Sequence, residues 1–281
     1  MSITLRALVH SAPDGRRIFD GLDLAFAAGR TGVVGNNGVG KTSLLRLIVG
    51  EIVPAGGAVL RSGDVRMLRQ NVEPTDGETV ADTFGVASAL ARLDRLEAGA
   101  ARGDDAAQAD WTLPSRLAAA LARVGLDGLD VRRPTATLSG GQRTRLSLAA
   151  LALDAPETIL LDEPTNNLDG DGRAIVARFL AEWRGVAIVA SHDRALLGGV
   201  DRIVELSALG ARLYGGGYEA YAARKMEERE LAASRLALAE RALKAVDKRT
   251  QEAREKKQKR DAAGARAASR GGVPRILLGA M

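Results

Sequence analysis

Apolar and polar residues alternate through "SITLRALV" and "LDLAFAAG", and Gly/Asp-rich turns separate the two runs. That two-residue period predicts half-buried β-strands in the first third of the chain. "RTGVVG" is different, a short continuous apolar run that reads as a buried parallel strand. It feeds into Gly35–Thr42, and "TSLLRLIVGE" follows with apolar residues at helical spacing and Gly50 near its end. From about Thr79 to Val124 the pattern is helical and Ala-rich, in "TVADTFGVASALARLDRLEAG" and "LPSRLAAALARVGL". "AARGDDAAQADWT" between them reads as an exposed connection, and Pro134 closes the region. Two more apolar runs, "TILLDE" and "GVAIVASHD", each follow a helical stretch, "RTRLSLAALALDAP" and "GRAIVARFLAEWR". Strands alternating with helices predict a mainly parallel sheet, and such sheets collect ligands at the carboxyl ends of their strands.

After Tyr221 the pattern changes. About fifty residues rich in good helix formers contain a single Gly and no Pro, and as one helix they would reach about 75 Å. Leu231, Leu238, Ala242 and Val246 share one narrow apolar stripe, too thin to make a core. The segment therefore packs on something else or forms a hairpin with residues beyond Gly264. The expected boundaries are a domain over residues 1–217, with a helical part at about 79–150, and a basic helical segment over 218–281 that reads as incomplete.

Composition narrows the class. The 281 residues are 46% hydrophobic, so a sizeable core is available, and the absence of cysteine excludes disulfides and thiolate metal sites. The first residues lack the apolar run of a signal peptide, and no window is apolar enough to span a bilayer. A cytoplasmic protein with no integral membrane segment is expected. The net charge of +5 is concentrated between about Arg224 and Arg275, which points to a polyanionic partner.

The candidate chemistry lies at the predicted strand ends. Gly35, Asn36, Asn37, Gly38, Val39, Gly40, Lys41 and Thr42 fit G-x-x-x-x-G-K-S/T between a strand and a helix. Backbone N–H groups of such a loop turn inward on a phosphate, the lysine neutralises it, and the threonine hydroxyl serves Mg²⁺. Asp162 ends an apolar strand and can hold Mg²⁺, and Glu163 is placed to act as general base on an attacking water. Gln70, after "DVRMLRQ", offers an amide to Mg²⁺ or to that water. His192, after "GVAIVAS", can donate to a γ-phosphate. "LSGGQ" places a hydroxyl, two glycines and an amide (Ser139, Gly140, Gly141, Gln142) ahead of a helix, a second place for an anion. Singly, most of these are ordinary surface features; the ordered set carries the chemistry.

GNNGVGKT, Gln70, LSGGQ, TILLDEPTNNLD and His192 resemble, in order and approximate spacing, the motifs of ATP-binding cassette ATPases over roughly residues 1 to 205. The resemblance implies a P-loop NTPase cassette of α/β class, with a mainly parallel sheet core, an N-terminal antiparallel β part and a helical signature subdomain. It further implies ATP and Mg²⁺ as ligands and ATP hydrolysis as the reaction. Asn167, Leu168 and Asp169 would form the D-loop, which contacts an opposite cassette. Ser139 to Gln142 would close over ATP held by that second cassette. Such cassettes stack adenine on an aromatic residue near the first strand; here His10 and Phe19 are the alternatives.

"DEPTNNLD", "LSGGQRTRLSLA", "RLYGGGYEAYAARK" and the long basic segment further resemble the ABC-F branch, whose members act on ribosomes. That implies an interdomain linker that faces rRNA and P-site tRNA near the E site, with Arg254, Lys256, Lys257, Lys259 and Arg260 as RNA contacts. The span from Gln70 to Leu138 has no extended basic insertion, so a short or absent arm is expected. The ATPase subunit of a membrane transporter is the competing function, and a binding module with incidental hydrolysis is a third. The second cassette would come from another copy of the chain or from a missing C-terminal half.

Overall fold

A computed structural model of the protein describes residues 1–68, 77–166 and 168–270. Gln70 and Asn167 lie outside the described residues, as does everything beyond 270. The chain forms two compact units, Met1–Ala222 and Ala223–Met281.

The first unit is α/β and opens with β1 (Ser2–Ser11) and β2 (Arg17–Ala27), the two alternating runs. They pair antiparallel, in register Ser2 with Ala27 and Leu5 with Leu24. β3 (Gly29–Val34) is the short apolar run, and the glycine loop leads from it into α1 (Lys41–Val49). Two short strands follow, β4 (Gly56–Arg61) and β5 (Val65–Leu68). The helical region comprises α2 (Val80–Thr83), α3 (Ala87–Glu97) and α4 (Leu113–Arg123). α5 (Gly140–Asp154) then begins at LSGGQ. The unit is completed by β6 (Thr158–Asp162), α6 (Gly170–Glu182), β7 (Val186–Ala190), α7 (Arg194–Gly198), β8 (Arg202–Ser207) and β9 (Gly210–Gly215).

β2-β1-β4 form a three-stranded antiparallel sheet. The main sheet has order β5-β6-β7-β3-β8-β9, with every neighbour parallel except β9. The long apolar runs of β6 and β7 have a simple cause. All five residues of each are buried, because both faces of the sheet are covered. Successive side chains point to opposite faces. Ile159, Leu161, Ala187 and Val189 therefore join Leu117, Leu121, Leu146 and Val176 of the helical side. Leu160, Val186 and Ile188 join Leu44, Leu45 and Ile48 of α1 and Ile3, Leu5 and Phe26 of the antiparallel sheet. Each of these side chains larger than alanine is worth roughly 1.5–3 kcal/mol of burial. α1 is thus clamped between two sheets. Gly50 ends it in the left-handed conformation at φ 95°. The Arg61 guanidinium caps the last turn, donating to the carbonyls of Leu47, at 2.9 Å, and Ile48.

The connection between α3 and α4 is exposed, as its polar sequence predicts, apart from Asp105 and the half-buried Ala109. Asp105 within it is 8% exposed. Its carboxylate accepts two bonds from Arg95, at 2.7 and 2.9 Å, and one from the Arg102 N–H, also at 2.9 Å. Arg92 stands 3.6 Å away. The Arg95 bond first, and the Arg102 N–H next, push this carboxyl down to about 2. A polar stretch here folds around one charge rather than around apolar residues.

α8 (Tyr218–Arg270) runs as one helix of 53 residues straight through Gly264, so no hairpin turn forms there. In the second unit, Leu231, Leu236, Leu238, Leu243 and Val246 are all more than half exposed. The root of α8 belongs to the first unit. There the Tyr221 hydroxyl donates to Glu205 at 3.0 Å, and Tyr214 donates to the other oxygen at 3.2 Å. Burial, then the Glu205 carboxylate, push the Tyr221 phenol well up.

Candidate functional site

The loop from Gly35 to Gly40 owes its course to its glycines. At φ 154°, a side chain on Gly35 would meet the Leu206 carbonyl oxygen at 2.6 Å. At φ 109°, one on Gly40 would sit 2.4 Å from Ile18 Cγ2 and 3.0 Å from Phe19 Cζ. The loop is thereby pressed between β8 and β2. No side chain caps the start of α1, so its first-turn N–H groups stay open to an anion.

Lys41 heads this helix and is 9% exposed. Its ammonium donates to the Gly35 carbonyl at 2.8 Å and lies 3.0 Å from His192 Nε2. Burial pushes the ammonium below the usual lysine range, against the pull of the Glu163 and Asp162 carboxylates. A buried cation held below its ordinary value is short of negative charge, which a triphosphate supplies. Asp162, 3% exposed, is the mirror case. Burial pushes it up, while the Thr42 hydroxyl bond and the Lys41 charge pull it down. A buried carboxylate and a hydroxyl in contact are oxygen donors suited to a hard cation, so these residues fit Mg²⁺.

Glu163 follows at the strand tip with φ 47°, a left-handed conformation that costs a non-glycine residue of order 1–3 kcal/mol. The main chain holds it there, its N–H donating to the Ala190 carbonyl on β7 at 2.8 Å. The His192 N–H and the Ser191 hydroxyl donate to the carboxylate at 3.4 and 3.5 Å. The exposed His192 ring reaches Lys41, Asn37 Oδ1 at 3.1 Å and the Glu163 carboxylate at 3.7 Å. Nε2 can accept from Lys41 or donate to Asn37 Oδ1, and the tautomer decides which. Three separate segments, after β3, β6 and β7, thus converge on one cavity of about 510 Å³.

The other expected site residues lie elsewhere. Ser139 caps α5: its hydroxyl accepts from the Gln142 N–H at 3.2 Å, and its own N–H donates to the Gln142 side chain at 2.9 Å. This capping box presets the turn, with Ser139 and Gly140 exposed and outside the lining of the glycine-loop cavity. Leu168 is buried, and Asp169 caps α6, accepting from the Gly172 N–H at 2.8 Å. Gln70 and Asn167 fall outside the described residues. Arg254, Lys256, Lys257, Lys259 and Arg260 are exposed on α8. Neither expected adenine platform lines the cavity. Phe19 is 5% exposed and packs in the core, and His10 is its tilted neighbour at 6.4 Å. Instead the lining includes Arg16 and Ile18 from the β1–β2 hairpin and Asn166 after Glu163, none of them singled out by sequence. Residue type alone points to Phe19 as a base contact, but strand alternation turns it inward and leaves its neighbour Ile18 at the loop.

A glycine loop between a central parallel strand and its helix, with an acid pair on the tip of another strand, defines the P-loop NTPase class. The family profile described as ABC transporter matches residues 19–166, more than half of the chain, and the protein belongs to that family. Membership implies ATP binding and hydrolysis by this domain. Over 243 residues the chain is 36% identical to the tylosin resistance ATP-binding protein TlrC of Streptomyces fradiae, a match covering 77% of this chain and 44% of that protein. It is 33% identical to the energy-dependent translational throttle protein EttA of Mycobacterium tuberculosis, covering 78% and 43%. A third relative, the probable ATP-binding protein YheS of Haemophilus influenzae, is 32% identical over 68% of this chain and 32% of its own length. The ABC-F resemblance of the motifs is thus carried by homologues across most of the chain. The chain spans less than half the length of these relatives. Among solved structures, an inward-facing putative metal-chelate type ABC transporter shares the fold at TM-score 0.60 and 20% identity, covering 76% of this chain and 83% of that one. An ATP-binding subunit of an ABC transporter does so at 0.61 and 14%, covering 76% and 90%. Among the described residues, no helix is long and apolar enough to cross a membrane.

Proposed function

We propose that the chain is one cassette of an ABC-F type ATPase that works as a pair and acts on the ribosome through α8. The observation that carries the reading is the convergence of Lys41, Thr42, Asp162, Glu163 and His192 on one cavity, while the Ser139 cap lies outside that cavity's lining. A signature turn that does not serve its own glycine loop is free to serve another. The second cassette comes from another copy or from further sequence.

In this reading the loop N–H groups and Lys41 bind the β- and γ-phosphates of ATP, and Lys41 leaves the Gly35 carbonyl and His192 to do so. His192 then turns to the γ-phosphate and stabilises charge developing there. Thr42 and Asp162, with Gln70, would hold Mg²⁺, which would supply positive charge to offset that of the triphosphate. Glu163 orients a water in line with the γ-phosphorus and takes its proton as the new P–O bond forms and the bond to ADP breaks. The strained backbone of Glu163 fixes the carboxylate before substrate arrives.

The ribosomal assignment is supported by the exposed cluster Arg254 to Arg260 on a long helix, and by a relative named as a translational throttle protein. Few aromatics accompany the cluster, so it contacts the phosphates of folded RNA rather than stacking on bases. rRNA and P-site tRNA near the E site are the assigned surfaces. A transporter ATPase is the second reading, favoured by the two transporter structures that share the fold. Co-sedimentation decides between them: Glu163→Gln protein with ATP is expected to pellet with washed ribosomes and to be released by salt. Absence from the pellet at low salt would sink the ribosomal reading. Light scattering of the same variant, with and without ATP, tests whether copies pair.

A further inference from the structure

We propose that Asn37 is a self-modification site. In the nucleotide-free chain its carboxamide is lost to water as ammonia, through a cyclic imide formed with Gly38. A bound triphosphate protects it, so that chains left empty lose their affinity for nucleotide. The protection rests on the reading of the cavity as a nucleoside triphosphate site; the modification itself does not. Of the asparagines in the chain, Asn37 alone is followed by glycine. Cyclisation needs the main-chain nitrogen of the next residue to reach the asparagine Cγ, and a side chain on that residue obstructs the approach.

The glycine loop supplies each requirement of that reaction. Asn37 and Gly38 are exposed in the turn closed by the Val39 N–H on the Asn36 carbonyl at 3.2 Å. The Gly38 N–H, the nucleophile, has no hydrogen-bond partner among the described residues. Gly38 stands at φ 77°, and the space a side chain would take holds nothing nearer than the Arg16 guanidinium at 3.9 Å. That guanidinium also donates to the Gly38 carbonyl at 3.4 Å. A cation beside the amide favours its deprotonated form. The electrophile is prepared from the other side. In the tautomer in which Nε2 bears the proton, and in the protonated ring, His192 donates to Asn37 Oδ1 at 3.1 Å. That bond draws electron density from Cγ and stabilises the oxyanion formed when the nitrogen adds there.

Hydroxide takes the Gly38 proton and the nitrogen adds to Cγ. The side-chain nitrogen then departs as ammonia, taking a proton from water, which leaves the imide. Water opens the imide at either carbonyl. Opening at Cγ leaves aspartate; opening at the main-chain carbon leaves isoaspartate, whose chain runs through the side chain. The sum is asparagine plus water giving a carboxylic acid plus ammonia, with nothing oxidised or reduced. Both products put a negative charge on a loop that faces phosphate, and isoaspartate also lengthens that loop. In the proposed function a triphosphate opposes the reaction twice, since it engages the loop N–H groups and draws His192 to its γ-phosphate.

The test is peptide mapping of the full chain after incubation at mildly alkaline pH, free and with Mg²⁺ and a non-hydrolysable fluorescent ATP analogue. The tryptic peptide 31–41 is read for a gain of about 1 Da, and fragmentation assigns it to Asn36 or Asn37. A synthetic peptide of the same residues gives the rate without the fold. The free chain is expected to convert at Asn37 at least as fast as the peptide, with Asn36 intact. The analogue at about ten times its Kd should slow conversion by about tenfold. His192→Ala should slow the free chain by about fivefold, the size of one hydrogen bond. Asn37→Asp, which carries the charge of the product, should bind the analogue about tenfold more weakly than wild type. An Asn37 that stays intact in the free chain while the peptide converts overturns the inference. So does a His192→Ala chain that converts as fast as wild type, or an Asn37→Asp chain that binds as tightly. If the analogue binds but does not protect, the nucleotide-site reading stands and the inference fails. If it binds Lys41→Ala as well as wild type, that reading fails, and the modification is judged by the peptide comparison alone.

Discussion

The glycine-loop cavity and α8 satisfy their polar groups in opposite ways. Around the cavity, Lys41 and Asp162 are taken out of water and held by neighbours from three segments distant in sequence. In the second unit, α8 keeps its charges in water, and even its leucines are more than half exposed. The first region is stable because the two-sided sheet clamps it, and its chemistry follows from desolvation. The second is helical chiefly by propensity and internal hydrogen bonds, and its described leucines stay exposed. A sequence change should therefore act on chemistry and stability in the first region, and on association in the second.

The largest effect that could break this contrast is on turnover. Glu163→Gln removes the proton acceptor while keeping the side-chain shape, so steady-state ATP hydrolysis should fall by about 10²- to 10⁴-fold. The thermal midpoint should stay close to wild type. A variant that retains more than a tenth of wild-type turnover would displace Glu163 from the role of general base.

Next in size is a matched pair of leucines. Leu161, fully buried in β6, should cost roughly 2–5 kcal/mol when changed to Ala, read by urea unfolding. Leu238, 61% exposed on α8, should cost within about 0.5 kcal/mol. A large loss at Leu238 would mean that the α8 stripe is covered in solution, and the contrast between the regions would fail there.

Charge on α8 gives a smaller effect per residue. Replacing Arg254, Lys256, Lys257, Lys259 and Arg260 by Gln should leave ATP hydrolysis unchanged and weaken ribosome retention. Every side chain that no longer neutralises a phosphate should flatten the log–log salt dependence by roughly 0.7–0.9. An unaltered salt slope would place the ribosome-binding surface elsewhere.

The same contrast explains what could be read from the sequence. β6 and β7 were legible because burial on both faces demands continuous apolar runs, and their tips then located Asp162, Glu163 and His192. Gly35 to Thr42 was legible because a tight loop around an anion admits few residue types. β4 was not, since only two of its six residues are better than exposed and it adds to an edge by main-chain bonds. Arg16 and Ile18 reach the cavity because a second sheet folds over the glycine loop, an approach with no local periodicity. The exposed connection between α3 and α4 was legible, but the one buried charge in it, Asp105, was not, because its arginine partners give no local pattern.

Asp105 supplies the smallest prediction, and it tests whether a buried charge outside the cavity behaves like those within it. Its folded carboxyl sits at about 2, below the unfolded value of about 3.9. A depressed carboxyl contributes stability that is complete above the unfolded value and is lost as pH falls through the folded one. The window is therefore pH 4 to pH 2, with wild type weakening as the Arg95 bond is protonated away. Arg95 is itself 32% exposed, so salt and water screen the pair and the effect is modest. Asp105→Asn should be less stable than wild type at pH 7 and should lose less on acidification through that window. Trp111, 61% exposed in the same connection, offers a local fluorescence signal for it. Parallel acid-unfolding curves for the two proteins would show that Asp105 is a solvated surface charge, and that the connection is organised by something other than this carboxylate.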